Sequence, residues 1–77
     1  MKTMKQLVKD YDFDHQINYY DMVIDSFFNG QMSQCKDQFN EMDNSGKKVF
    51  MSYIAFMDLL PKDIKNMTLF FINEILK

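Results

Sequence analysis

Residues 39–56, FNEMDNSGKKVFMSYIAF, carry an apolar helical pattern into Asp43, Asn44, Ser45 and Gly46 and then into a second apolar pattern. Oxygen-bearing side chains around a glycine are the ingredients of a calcium loop. An EF-hand loop takes oxygen ligands at positions 1, 3 and 5, Gly at 6 and a bidentate Glu at 12. With Gly46 at the sixth position, Glu41, Asp43 and Ser45 fall on the first three ligand positions, but Lys48 follows in the apolar slot and Ser52 stands where the Glu is needed. Starting at Asp43 puts Lys47 on a ligand position and Ile54 at the end. Both registers lose the bidentate carboxylate and bring lysines into the loop. The stretch therefore reads as a turn between two helices, and no metal or other cofactor is expected.

Catalysis has little to draw on. His15 is the single His, with Asp12 and Asp14 beside it, and no Ser or Cys is spaced to form a nucleophile with it. It reads as a polar residue at the start of a helix. Cys35 lies on an apolar stripe and reads as a small core residue. Glycine-rich phosphate loops and zinc spacings are absent. A non-enzymatic protein is expected.

Charge supplies a stronger pattern. From residue 10 to 43 there are eight carboxylates (Asp10, Asp12, Asp14, Asp21, Asp25, Asp37, Glu41 and Asp43) and one lysine, Lys36. Outside that stretch eight lysines face three acids, Asp58, Asp63 and Glu74. Asp14, Asn18, Asp21 and Asp25 recur at steps of four, three and four, which stacks them in one stripe on a helix, opposite Val23. Such a stripe, bordered by Tyr19 and Met22, suits docking on a basic surface of another protein. Asp14, Asp21, Asp25, Tyr19 and Met22 are accordingly the expected partner-binding residues. A net charge of −2 is too small for a full nucleic-acid mimic.

DNA binding is the competing use. Residues 31–60 can form a helix–turn–helix, but its second helix offers Ser52, Ala55 and Asp58 on an otherwise apolar surface. Only Lys47 and Lys48 could reach phosphate. The chain has no Arg, the residue that makes the commonest bidentate contact to guanine.

Helices must position all of these groups. Met4, Leu7, Val8 and Tyr11 allow a short N-terminal helix. Ile17, Tyr20, Ile24, Phe27 and Phe28 predict a helix over 14–28, started by Asp12 or Asp14 and stopped by Asn29-Gly30. Met32, Cys35, Phe39 and Met42 predict a second over about 31–42. Val49, Phe50, Tyr53, Ile54, Met57 and Leu60 predict a third over about 47–60, capped by Asn44 or Ser45. Pro61 opens a last helix with Asp63 in its first turn and Ile64, Met67, Phe71 and Ile75 on its stripe. The expectation is an all-α, single-domain chain (residues 1–77): an antiparallel bundle of four helices with a possible short N-terminal one. Its core should hold Tyr20, Ile24, Phe27, Phe39, Phe50, Ile54, Met57 and Phe71.

Eight Phe, four Tyr and eight Met in 77 residues exceed what so small a core encloses, so some apolar side chains should face solvent and mark an interface. One Cys excludes an intramolecular disulfide. No signal-peptide pattern opens the sequence and no apolar run reaches a membrane span, so a cytosolic protein is expected. Lys, Asn, Ile, Phe, Tyr and Met abound while Arg, Ala, Pro and Gly are scarce. That usage fits AT-rich codons, as in a low-GC bacterium, its phages or its mobile elements.

Residues 19–42, YYDMVIDSFFNGQMSQCKDQFNEM, resemble a pattern in short proteins of phages and mobile elements: an aromatic-rich helix ending in Asn-Gly-Gln, then a Gln-bearing helix ending in Phe-Asn-x-Met. The matching positions are Asn29, Gly30, Gln31, Gln34, Phe39, Asn40 and Met42. The resemblance spans about a third of the chain and brings no activity or site residues. It implies a setting in which small binders block or redirect a host machine, as anti-CRISPR and other anti-defence inhibitors do. The leading expectation is a stoichiometric inhibitor of a host defence nuclease, possessing a basic surface for the acidic stripe to meet. A small helix–turn–helix DNA-binding regulator and a homo-oligomeric structural accessory protein are the alternatives, and a homodimer is left open.

Overall fold

The computed structural model describes residues 1–77. It contains five helices and no strand: α1 (Met4–Asp10), α2 (Gln16–Phe28), α3 (Met32–Glu41), α4 (Asn44–Ala55) and α5 (Pro61–Ile75). The all-α class and the short N-terminal helix agree with expectation. The closest packing runs from α1 to α2, α2 to α3, α3 to α5 and α5 to α4.

Local chemistry explains each boundary. Two helices end in the same way. After α2, Gly30 adopts a left-handed φ of 74°, the Gln31 N–H donates to the Ser26 carbonyl (2.9 Å) and the Gly30 N–H to that of Phe27 (3.2 Å). After α1, Asp12 takes φ 56°, the Phe13 N–H donates to Val8 (2.9 Å) and the Asp12 N–H to Lys9 (3.2 Å). These paired bonds satisfy carbonyls that a helix end would leave open. Asp is one of the few non-glycine residues that tolerate this backbone region.

Asp12 and Phe13 are thus committed to closing α1, and the expected start of α2 is corrected. His15, not Asp12 or Asp14, is its cap: Nδ1 accepts the Ile17 N–H (3.0 Å), and the Asn18 side chain accepts the His15 N–H (3.0 Å). The start of α4 also differs. Asp43 caps it by accepting the Gly46 N–H at 2.8 Å, so Asn44 and Ser45 lie inside the first turn. The would-be calcium loop is therefore a cap and a turn of helix. At its other end α4 stops at Ala55, five residues short of Leu60. Pro61 forces the residue before it out of the helical region, and Leu60 is extended at φ −60°, ψ 137°. The intervening turn folds Met57 and Leu59 back against the core.

Twelve hydrophobic residues form the core. Phe39, Phe50 and Phe71 meet at its centre, with ring centroids 4.7 Å apart for Phe39–Phe71 and 4.9 Å for Phe50–Phe71. Tyr20 joins from α2, 5.6 Å from Phe50. Of the expected core, Tyr20, Ile24, Phe39, Phe50, Ile54 and Phe71 are buried, while Phe27 and Met57 are only partly covered. Leu7, Tyr19, Val23, Cys35, Met42 and Met67 complete it. Ahead of α1, Lys2 pairs with the α3–α4 junction: its N–H donates to the Glu41 carbonyl (2.7 Å) and its carbonyl accepts the Asp43 N–H (2.9 Å). The Lys2 ammonium reaches Asp10 at 2.7 Å, an exposed pair that contributes little by itself.

Two buried tyrosines in succession differ in one respect. The Tyr19 hydroxyl donates to the Gln38 carbonyl at 2.7 Å and lies 3.2 Å from Glu41, whereas the Tyr20 hydroxyl has no hydrogen-bond partner. Tyr19→Phe should destabilise by about 1–2 kcal/mol, since it strands a buried carbonyl. Tyr20→Phe keeps the ring and removes an unpaired polar group, so denaturant titration should show stability unchanged or raised.

Glu74 provides a pH dependence. Its nearly buried side chain accepts hydrogen bonds from Lys77 (2.9 Å) and Asn40 (3.1 Å), which hold its pKa below the ordinary 4.5. A carboxyl with a depressed folded pKa contributes stability above its unfolded value and loses it as pH falls through the folded one. Melting temperature should therefore decline as pH drops below 4.5, and Glu74→Gln should flatten that decline.

Candidate functional site

The expected partner-binding residues divide into three groups. Asp21, Met22 and Asp25 come together. They line a shallow depression of about 450 Å³ between α2 and α3, with Asn18, Ser26, Gln31 and Gln34 among its other walls. Asp14 is exposed but precedes α2 by two residues and does not line the depression. The acidic stripe is thus Asn18, Asp21 and Asp25, with Asp14 set apart by the turn that closes α1. Tyr19 is a correction. It is fully buried, because it faces α3 with Val23 and its hydroxyl is consumed by Gln38, so it cannot border a contact surface.

The stripe and the core divide α2 cleanly. Tyr19, Tyr20 and Val23 fill the inward side, and Asn18, Asp21 and Asp25 lie across the helix from Val23. The two carboxylates are not equivalent. Asp21 is half-buried and its Oδ1 accepts the Tyr53 hydroxyl of α4 at 2.8 Å, while Asp25 is exposed. That bond lifts the Tyr53 pKa, since losing the phenolic proton would set two negative charges side by side. Tyr53 therefore fixes the Asp21 carboxylate, and Asp25 stays open to an incoming cation.

No lysine lines the depression. Lys36, the one lysine of the acidic stretch, turns toward α5, where its ammonium lies 5.9 Å from the Phe70 ring centroid. The floor is firm: Ser26 lies under the groove with its hydroxyl 2.8 Å from the buried Gln38 side chain, joining α2 to α3. An arrangement of two carboxylates, several amides and one half-buried Met can accept hydrogen bonds from ammonium or guanidinium groups and cover an aliphatic stem. Its one hydroxyl, that of Ser26, is taken up by the Met22 carbonyl (3.1 Å) and the Gln38 side chain (2.8 Å). Cys35, the chain's only thiol, is enclosed beneath α2, and burial pushes its pKa up to about 11, which keeps it protonated and unreactive. His15 spends its Nδ1 on the α2 cap.

Gln31 and Gln34 were not expected at this site. They stand on either side of the α3 start at a spacing of three, but only the α2–α3 packing shows that they face Asp25 rather than solvent elsewhere. The helix–turn–helix reading gains little. Phe50 and Ile54 of α4 point into the core, Lys47 lies over the Phe39 ring at 5.4 Å, and Lys48 is the exposed cation of that helix. No helix is long and apolar enough to cross a membrane.

Tyr53→Phe separates the two carboxylates. It should cost about 1 kcal/mol in a denaturant titration, as loss of one hydrogen bond to a charged but part-exposed acceptor. The ring contact with Tyr20, at 5.6 Å between centroids, is retained, so the helical circular dichroism should not change.

Comparison of the chain with protein-family models, with curated proteins and with solved structures finds no match, so a functional reading rests on these residues and their geometry.

Proposed function

We propose that this chain is a non-enzymatic interaction module that acts by stoichiometric binding, with the α2–α3 groove as its contact for a basic surface on another protein. The observation that carries the reading is the groove's composition: Asp21 and Asp25 on one helix, ringed by amides, with Met22 as an apolar wall and no lysine to neutralise them. Complementary charge of this kind speeds encounter and fixes register more than it adds raw affinity. The resemblance of residues 19–42 to short phage and mobile-element proteins supports a partner in the host cytosol, a defence nuclease such as a CRISPR effector, whose nucleic-acid-binding surface is basic. Binding there blocks the nuclease. Met22 covers the aliphatic stem of a lysine or arginine whose head group reaches Asp25, and the Tyr53-held Asp21 sets the angle of approach.

A purified CRISPR effector nuclease provides the test. Cleavage should fall in proportion to added chain and stop near one chain per nuclease. The variant Asp21→Asn/Asp25→Asn keeps size and hydrogen-bonding capacity while removing charge. It should associate at least about tenfold more slowly and lose most of the salt dependence, because screening acts within about 8–10 Å at ordinary ionic strength. Unchanged kinetics in that variant would remove the groove from the reading, and full cleavage at saturating chain would remove this nuclease as the target.

A further inference from the structure

The Tyr20 ring is enclosed in the core, but its buried hydroxyl has no hydrogen-bond partner. Phenylalanine would fill the same space without stranding a polar group, so the hydroxyl serves something other than the fold. Tyr20 also walls a small pocket where the starts of α1, α2 and α4 meet. Thr3, Gln16, Asp43 and Ser45 supply its other polar walls, and Met4 and Val49 its apolar ones. Burial and the charge of Asp43 push the Tyr20 pKa up, which places the hydroxyl end of the ring toward that carboxylate and keeps its proton in place.

We propose that this pocket binds a neutral polyol of monosaccharide size, with Tyr20 donating to one of its hydroxyls and Asp43 accepting from another. Charge and hydrogen-bond count select this class. Asp43 Oδ1 accepts the Gly46 N–H at 2.8 Å, which leaves Oδ2 for a donor from outside. No lysine walls the pocket, so an anion would meet an unneutralised carboxylate. An ammonium would satisfy Asp43 but carries donors alone, and the Tyr20 proton would still lack an acceptor. An alcohol hydroxyl accepts from one neighbour and donates to the next. Gln16 and Ser45 offer both functions at the pocket wall, and Met4 and Val49 suit the C–H edge of a sugar ring. Size agrees with this class. The pocket encloses about 230 Å³. One water needs only about 15 Å³ of such space, and pockets for drug-sized ligands begin at roughly 300 Å³.

This pocket is separate from the α2–α3 groove, and its test needs no partner protein. Ribose, glucose and myo-inositol are each titrated into the isotope-labelled full chain and followed by NMR of the backbone amides. At least one of them should give saturable shifts centred on Asn44, Ser45 and Gly46. Tyr20→Phe should weaken that binding at least about tenfold, as loss of one buried hydrogen bond, with melting temperature unchanged or raised. A hydroxyl with a structural role alone would move the melting temperature and leave the titration as it was. Asp43→Asn keeps a good helix cap and removes the charge. It should weaken polyol binding as well, since a charge-assisted hydrogen bond becomes a neutral one. Methylamine and acetamide serve as competing probes. No saturable shift with any of the three polyols, either variant binding like the parent, or tighter binding of methylamine or acetamide at the same amides would each overturn the proposal.

Discussion

The contact of Phe39, Phe50 and Phe71 is the constraint on which the rest of the structure depends. Three rings from α3, α4 and α5 meet at 4.7–5.7 Å between centroids, with Phe39–Phe71 tilted at 31° and Phe50–Phe71 edge-on at 89°. Aromatic pairs favour these arrangements, which contribute about 0.5–1.5 kcal/mol each beyond simple burial. In a chain of 77 residues few other side chains are large enough to hold three helices at once. Tyr20 brings α2 onto the same cluster, and α2 in turn carries both the acidic stripe and the contact with α1. The groove is positioned by a hydrophobic event on the far side of its own helix.

Two surfaces of opposite chemistry follow from that arrangement. The outward side of α2 is acidic and amide-rich, and the outward side of α5 is apolar with lysines at its N-terminal end. Both use steps of three and four, as any narrow stripe on a helix must. What differs is the chemistry carried at each position: carboxylates and an amide on α2, leucine and isoleucine on α5.

Helix content and most of the core were legible in the sequence because apolar stripes with a period near 3.6 report burial directly. Phe39, Phe50, Ile54 and Phe71 sit at the centres of their stripes and are buried. Boundaries were less legible where a side chain had alternative roles. Asp12 offers both a cap for the next helix and a left-handed stop for the previous one, and only the bonds from Phe13 and its own N–H decide for the stop. Asp43, not Asn44 or Ser45, is the cap because its carboxylate accepts the Gly46 N–H, and Gly46 sits in the first turn against Met4, where an added Cβ would lie 2.9 Å from the sulfur. Tyr19 was misread for a different reason. Two successive tyrosines on one helix point about 100° apart, and which of them, or whether both, is enclosed depends on α3. The acidic groove was half legible: the α2 residues show in the spacing, while Gln31 and Gln34 join it only through packing between helices.

The pairing of Lys2 with the α3–α4 junction has a consequence for the order in which the fold assembles. The turn at Gly30 brings α2 and α3 together with very little chain to close, so that hairpin forms early from local contacts. Lys2 must instead find residues about forty positions away, and the entropy of closing so long a loop is recovered only after α3 and α4 are already joined at Asp43. The Lys2 bonds span the longest separation among the fold's backbone pairings and so carry its largest closure cost. A chain emerging from the ribosome presents Lys2 long before its partners exist.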